Sequence, residues 1–434
     1  MTLGQTIRHL GFIGFDILQG SKIRHHLNDI SRYFADPISY ETFQNERLNC
    51  LLQHACDTVP FYKNYVGFNS TKDFPVIEKT VVKKNYDSFL SSAYQRSSLK
   101  TAITSGSYGT PMSYMHTKDK SARRLAEVLL FNQWAGYRVG MKHVLVRVRP
   151  KSRWTCFIEN ETIFNPIGMD REWLAQKREV LRNNGVKIFI GYPSVLAALA
   201  KFSQEKGDSK NNYSLQGIIS IAESLTSEDR KVIEDVYGCP VLCRYSSEEF
   251  GVLAHQCSRG DKYHINGASY LVEVLHPKED WPVKVGETGR VVVTDLYSQA
   301  MPLVRYDTGD LAVLGKQCDC GLNTVVLDRI DGRVTEVIYD TKGRVVAPLA
   351  VVTPIGRTLE GILQFQFVQK DIYKYLVRLV VLPAFTKENV KLIADQLKGK
   401  LGDDAEIEFE YVDSIEPLPS GKRPYIINEY HSQA

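Results

Sequence analysis

Between residues 144 and 245 the chain alternates short apolar runs with amphipathic ones, and that alternation constrains its fold more than any other feature. Residues 144–148 read as a strand, 173–183 as a helix, 186–191 as a strand, 195–202 as a helix, 215–222 as a strand, 227–237 as a helix and 241–245 as a strand. Thr226 or Ser227 can cap the last helix at its start, and Gly238 can close it. This βαβα rhythm predicts a mostly parallel sheet covered by helices. Ligands of such sheets bind at the carboxyl ends of the strands. The groups expected there are Gly191-Tyr192-Pro193, Ala222-Glu223-Ser224 and the run from Tyr245 through Glu249 to Gly251.

At 434 residues the chain exceeds what one core usually serves, so two or more domains are expected. A β-rich stretch follows the alternating region: residues 270–275 and 290–296 read as strands around the turn Gly286-Glu287-Thr288-Gly289. The character shifts after Arg329-Ile330-Asp331-Gly332-Arg333, and residues 334–434, with strands at 364–368, 373–381 and 406–411 and a helix at 387–397, suit a separate α+β domain. A net charge of +4 with scattered Lys and Arg does not suggest nucleic acid as a partner. No apolar run approaches the roughly 20 residues of a spanning helix. The first 35 residues read as helix: Ile7, Leu10, Ile13, Phe15, Ile17 and Leu18 alternate with Arg8, His9, Lys22, Arg24, His25 and His26. That helix either caps a domain or subunit contact or lies peripherally on a membrane surface. Eight cysteines without a secretory signal argue for reduced thiols and a cytoplasmic location.

The stretch from Thr104 to Pro111, Thr-Ser-Gly-Ser-Tyr-Gly-Thr-Pro, stands between two strand-like runs. Gly106 and Gly109 leave room for backbone N–H groups, and Thr104, Ser105, Ser107 and Thr110 add hydroxyls, a combination that closes around phosphate oxygens. It is not a Walker A loop, which needs Lys after its last glycine and opens a helix. A Ser/Gly surface hairpin uses the same residues. What separates the two readings is the series of motifs downstream: Tyr245-x-Ser-x-Glu249, Tyr306-x-Thr-Gly-Asp310, Gly332-Arg333 and Ser420-Gly421-Lys422.

In that order these motifs resemble the adenylate-forming superfamily, and most closely its phenylacetate–CoA ligase family, on the branch linked to capsular polysaccharide biosynthesis. The resemblance covers residues 45 to 430. It implies an α/β fold: a large N-terminal AMP-binding adenylation domain, residues 1–332, with parallel-rich sheets and a β-rich subdomain, and a small mobile α+β lid domain, residues 333–434. It implies ATP, magnesium and a carboxylic acid, joined as acyl-AMP, with CoA, a carrier thiol or a sugar as acceptor. Thr104, Ser105, Gly106, Ser107, Gly109 and Thr110 would hold the ATP phosphates; Ala222, Glu223 and Tyr245 would lie at adenine; Glu249 would position magnesium; Asp310 would accept the ribose hydroxyls; Arg333 would reach phosphate or ribose. Lys422 would meet the carboxylate and the α-phosphate, where negative charge spreads in the transition state. Two positions depart from the family pattern: Thr110 stands where Lys is usual, and Thr335, followed by Glu336, stands at the hinge carboxylate. An adenylyltransferase acting on a hydroxyl of a small coenzyme and a non-catalytic nucleotide-binding relative remain alternatives. Phe131, Trp134 and Tyr137 serve either an acid pocket or a helix core.

Four further residues form a metal-ligand set. Cys257 and His264 follow the Glu249 run, and Cys318-Asp319-Cys320 follows Asp310. Three thiols and an imidazole in loop-like sequence suit a tetrahedral structural zinc, although Cys-x-Cys is tighter than a zinc-ribbon pair.

Overall fold

A computed structural model describes residues 2–103, 112–259, 261–333, 338–346, 348–357, 361–383, 385–417 and 423–430. The chain forms two compact units, Met1–Gly140 with Leu242–Ile330 and Met141–Val241 with Asp331–Ala434. Both phosphate-loop residues 104–111 and the segment 418–422 with Lys422 lie outside the described residues, as do Thr335 and Glu336.

The second unit contains the alternating region. Its strands run in the order Glu161–Phe164, His143–Val146, Ile188–Gly191, Gly217–Ile221, all parallel, with Val144 paired to Thr162 on one side and Phe189 on the other. Parallel strands buried on both faces need continuous apolar runs, and Ile188–Gly191 is buried at every position. Helices Arg171–Asn183, Pro193–Glu205 and Ser227–Tyr237 close over it. Thr226 caps the last of these through its hydroxyl, and Gly238 ends it at φ +68°, a backbone geometry that glycine adopts without strain. The strand Glu161–Phe164 and the short helix Arg153–Glu159 before it carry too few periodic residues to read from sequence.

The same unit holds the smaller C-terminal α/β layer. Four strands run in the order Glu406–Tyr411, Lys374–Val381, Ile362–Gln369, Ile426–Asn428, with an antiparallel central hairpin and parallel flanks. Helix Lys387–Leu401 packs on it through Ile393, Leu397 and Leu401. Leu363, Val380 and Ile415 join the core of the parallel layer.

The first unit is β-rich. Its strands follow the order Tyr270–Leu275, Thr288–Asp295, Tyr306–Leu314, Val326–Arg333, Tyr263–Ile265, Gly251–Gln256, Val241–Ser247. The residues read as a joint, Asp331-Gly332-Arg333, are the end of a strand. Helix Lys118–Trp134 lies against this sheet and carries two cations into the core. Lys120, wholly buried, meets Asp295 at 2.8 Å and donates to the Tyr270 hydroxyl at 3.1 Å. Arg123, equally buried, pairs with Asp29 and donates to Ser269 Oγ and the Ala268 carbonyl. Burial works to raise the Asp29 carboxyl; Arg123 and the Tyr40 and Tyr297 hydroxyls outweigh it and hold the group below the usual carboxylate range. At Asp295 burial prevails and the carboxyl is raised. Removing one partner of such a pair strands a buried charge, a loss of about 3–5 kcal/mol. These pairs therefore fix where the helix sits more than they add to net stability.

Candidate nucleotide site and metal-ligand cluster

In the first unit, Asp310 is placed by an irregularity in its strand. Thr288–Asp295 pairs with Tyr306–Leu314 in regular register at Arg290–Leu311 and at Val292–Asp307, so the second strand carries extra residues between those pairs. The bulge holds Thr308, Gly309 and Asp310. Gly309 sits at φ +74°, the conformation that glycine tolerates best, and its N–H donates to Asp307 Oδ1 at 2.8 Å. Arg290 grips the other oxygen of Asp307 at 2.9 Å. Asp307 is thereby spent on the turn, and Asp310 is the carboxylate presented by the bulge. The Tyr245 hydroxyl donates to Asp310 Oδ2 at 2.7 Å. Two residues expected at the nucleotide on separate motifs are thus hydrogen-bonded to each other.

Arg305 immediately precedes this stretch, and no sequence motif singled it out. It is buried, sits at φ +50°, and grips Glu273 with Nε and Nη2 at 3.1 and 3.2 Å. Its carbonyl accepts from Ile77 N, and Asp307 N donates to the Ile77 carbonyl. A non-glycine residue in the left-handed region stores strain that its surroundings must hold, so this cluster fixes the entry to the bulge. Glu249 occupies the turn between Val241–Ser247 and Gly251–Gln256, half-buried, and its charge contributes to raising the Tyr114 hydroxyl.

In the second unit, Ala222 follows the strand Gly217–Ile221 at φ +69°, another strained position at a strand's carboxyl end. Glu223 comes next, and its carboxylate serves two elements. Oε2 accepts from Ser194 N at 3.1 Å, at the start of helix Pro193–Glu205; Oε1 accepts from Arg423 N at 2.7 Å. Arg423 is the residue after Lys422. Its buried side chain donates to the carbonyls of Ile415 and Pro166, each at 2.8 Å. Two residues on, the Tyr425 hydroxyl donates to Asp229 Oδ2 at 2.7 Å, and Lys201 meets the other Asp229 oxygen at 2.9 Å. Burial, with Asp229 alongside, lifts the Tyr425 hydroxyl well above its usual pKa, so it stays a donor. Glu223 was expected beside adenine; its carboxylate oxygens are taken by the backbone. Arg423, Tyr425 and Asp229 escaped the sequence reading because long-range hydrogen bonds leave no local pattern. Arg333 lies at the end of its strand, and its side chain is not among those described.

The metal-ligand set is one cluster. The ligand atoms of Cys257, His264, Cys318 and Cys320 all lie within 4.8 Å of one another. Cys257 follows the strand Gly251–Gln256, His264 is the middle residue of Tyr263–Ile265 and pairs with His255, and the loop after Tyr306–Leu314 supplies Cys318 and Cys320. Cys257 and Cys318 Sγ stand 3.8 Å apart, and Cys320 Sγ is 3.3 Å from His264 Nε2. Zinc bonds of about 2.3 Å to sulfur and 2.0 Å to nitrogen put tetrahedral ligands about 3.5–3.8 Å apart. His264 Nδ1 faces Thr324 Oγ1 at 2.7 Å, which suits a ring whose Nε2 lone pair is turned to a metal. Burial pushes the Cys318 thiol up to about 12 and the His264 imidazole down to about 4. Phe131 and Trp134 belong to a helix core: Phe131 stacks on His255, and Trp134 stands edge-on to His264.

Residues 338–429 match the family model of the CapK C-terminal domain. The chain is 25% identical to Protein CapK of Staphylococcus aureus over 93% of this chain and 92% of that protein. It is 27% identical to a phenylacetate-coenzyme A ligase of Thermus thermophilus over 68% of this chain and 70% of that protein. Among solved structures it superposes on 2-hydroxyisobutyryl-CoA ligase, held in the postadenylation state with 2-HIB-AMP, with TM-score 0.73, 18% identity and 88% of each chain covered. The chain is similar throughout to adenylate-forming ligases, CapK and the phenylacetate–CoA ligases among them. The ligase fold places Glu223 at the end of a strand in its parallel sheet, and Asp310 on a bulge in its β-rich part.

The Glu223 clamp makes a direct expectation. Glu223→Ala leaves two buried or half-buried amides without their acceptor and is expected to lower stability by about 1–3 kcal/mol in urea unfolding. Glu223→Gln retains an acceptor oxygen and should lose less; equal losses would show that the carboxylate does not carry the clamp.

Proposed function

We propose that this ligase activates a carboxylic acid as acyl-AMP and passes the acyl group to CoA or another nucleophile. The observation that supports the reading best is the Glu223–Arg423 hydrogen bond, which ties the sequence neighbour of Lys422 to a strand end where such sheets bind ligands. A carboxylate oxygen of the acid attacks the α-phosphorus of ATP, the bond to the β-phosphate oxygen breaks, and pyrophosphate leaves. Lys422 neutralises charge on the transferring phosphoryl oxygens and on the approaching carboxylate. Asp310, oriented by Tyr245, accepts the ribose hydroxyls, as a carboxylate with two acceptor oxygens can. Thr104, Ser105, Ser107 and Thr110 with the amides of Gly106 and Gly109 bind the leaving phosphates, and Ala222 lines the adenine. Arg333 supports phosphate or ribose. Magnesium at Glu249 would supply positive charge to the same phosphate oxygens. In the second step the acceptor thiol attacks the acyl carbon, loses its proton, and releases AMP. For the acid, the support is the CapK-like branch alone, which favours an acid or amino acid destined for a surface polysaccharide.

We assign the Cys257–His264–Cys318–Cys320 cluster to a structural zinc. Four protein ligands close the coordination shell, so the ion would brace the loops after Gly251–Gln256 and Tyr306–Leu314 and would activate no water.

Acid-dependent pyrophosphate release across a panel of carboxylates, followed by addition of CoA and mass spectrometry of the products, tests the reaction. At least one acid should stimulate release, Lys422→Ala should cut it by about a hundredfold or more, and Asp310→Ala should raise the KM for ATP by about tenfold or more. Release without any acid dependence, or a fully active Lys422→Ala protein, would count against the assignment. For the metal, protein purified without chelator should carry about one zinc per chain and lose it in a Cys318→Ser/Cys320→Ser variant. Stoichiometric zinc that survives the double substitution would place the ion elsewhere.

A further inference from the structure

The first helix, Leu3–Leu18, is seated with its apolar side outward. Leu3, Ile7, Leu10, Phe15, Ile17 and Leu18 are all more than half exposed, Leu3 at 79% and Leu18 at 85%. A surface helix of a globular protein does the reverse and turns its apolar stripe to the core. The helix is held in this orientation from its other side. Asp16 is 1% exposed and accepts Ile23 N at 2.9 Å and Arg24 N at 3.2 Å, which fixes the turn into helix Lys22–Ala35. Gly140 passes so close that a Cβ there would stand 2.8 Å from the Gln5 carbonyl and 3.1 Å from Arg8 Cβ. The outward face cannot roll inward without undoing both contacts.

Cations outnumber carboxylates around this face; the carboxylates near them are Asp16, which Arg24 Nε meets at 3.6 Å, and Asp119, which faces His26 and Lys22. Asp16 is the sole carboxylate in residues 1–28, and it is consumed by the turn. The same 28 residues carry Arg8, His9, Lys22, Arg24 and His25, of which Lys22, Arg24 and His25 are exposed. The second unit carries a surface of the same composition. Helix Arg153–Glu159 exposes Trp154 at 75% together with Phe157 and Ile158. Residues 147–153 before it hold Arg147, Arg149, Lys151 and Arg153, of which Lys151 pairs with Glu159 at the end of that helix and with Glu161. Tryptophan and bulky aliphatic side chains flanked by cations are the composition of segments that lie in the headgroup layer.

We propose that the Leu3–Leu18 face docks on an anionic lipid surface, with the Trp154–Ile158 patch as a second, independent point of contact. A second copy of this chain is the poorer occupant, because pairing two such faces brings two cationic rims together. A bilayer rich in anionic headgroups receives the apolar side chains and neutralises the rim at once.

The test is co-sedimentation of the full-length protein with vesicles of phosphatidylcholine alone and of phosphatidylcholine mixed with phosphatidylglycerol. Binding to the anionic vesicles should exceed binding to the neutral ones by about tenfold or more and weaken as salt is raised. Ile7→Glu/Leu10→Glu should abolish it with no loss of thermal stability, since both side chains already face solvent. Lys22→Glu should weaken it while keeping the helix face intact. Acyl chains brominated near the headgroup should quench a fluorescence component that Trp154→Phe removes. Equal binding to both vesicles, no binding to either, or binding unchanged in Ile7→Glu/Leu10→Glu would overturn the proposal. So would a wild-type dimer that Ile7→Glu/Leu10→Glu converts to monomer, because a second copy would then cover the face.

Discussion

One carboxylate, that of Glu223, joins three parts of the second unit that are distant in sequence. It closes the N-terminus of the helix beginning at Pro193, it ends the strand Gly217–Ile221 after the strained Ala222, and it takes the amide of Arg423. A carboxylate at a helix N-terminus is favoured by the dipole and by the unpaired N–H groups there. The same group therefore has a local reason to be where it is and a remote consequence. The C-terminal segment is held a second time by the Arg423 side chain on two carbonyls and a third time by Tyr425 on Asp229. Asp229 is in turn neutralised by Lys201. Each bond is modest by itself, about 1 kcal/mol net. Their value is geometric, because together they specify one seat for the residues that follow Lys422.

The first unit solves a different problem, presenting one carboxylate from a sheet edge-on to a tyrosine. It does so with a bulge. Asp307 is tied by Arg290 and Gly309, Arg305 is tied by Glu273 and Ile77, and what remains is Asp310 beneath the Tyr245 hydroxyl. The strain at Arg305 is held by its own partners, Thr294 Oγ1 on its amide and Glu273 and the Phe74 carbonyl on its guanidinium.

Much of this was legible in the sequence, and the divide between what was and what was not is physical. The parallel layer could be read because buried strands and amphipathic helices write their periods locally: the helix Ser227–Tyr237 and the strands Tyr270–Leu275 and Glu406–Tyr411 fall on the residues expected. Asp310 and Tyr245 each stand in a motif of their own, but their bond was not legible, since 65 residues separate them. The thiols and imidazole of the cluster were recognisable by type; their convergence depends on a hairpin and a loop closing on one another. Arg305, Arg423 and Tyr425 were invisible, as arginine and tyrosine in loops have many ordinary uses. The outward apolar face of the first helix was ambiguous in the same way: its periodicity shows that one side is apolar and says nothing of which side meets the protein.

The account stands on formation of an acyl-adenylate, and the most direct test follows an atom. The accepted acid is supplied with both carboxylate oxygens isotopically heavy, and the AMP released in a single turnover is weighed. Attack of the carboxylate on the α-phosphorus, then departure of AMP from the acyl carbon, leaves one heavy oxygen on the phosphate. AMP carrying that label is the expected result. Unlabelled AMP, or AMP retained as a stable ester on a hydroxyl of the product, would contradict the account.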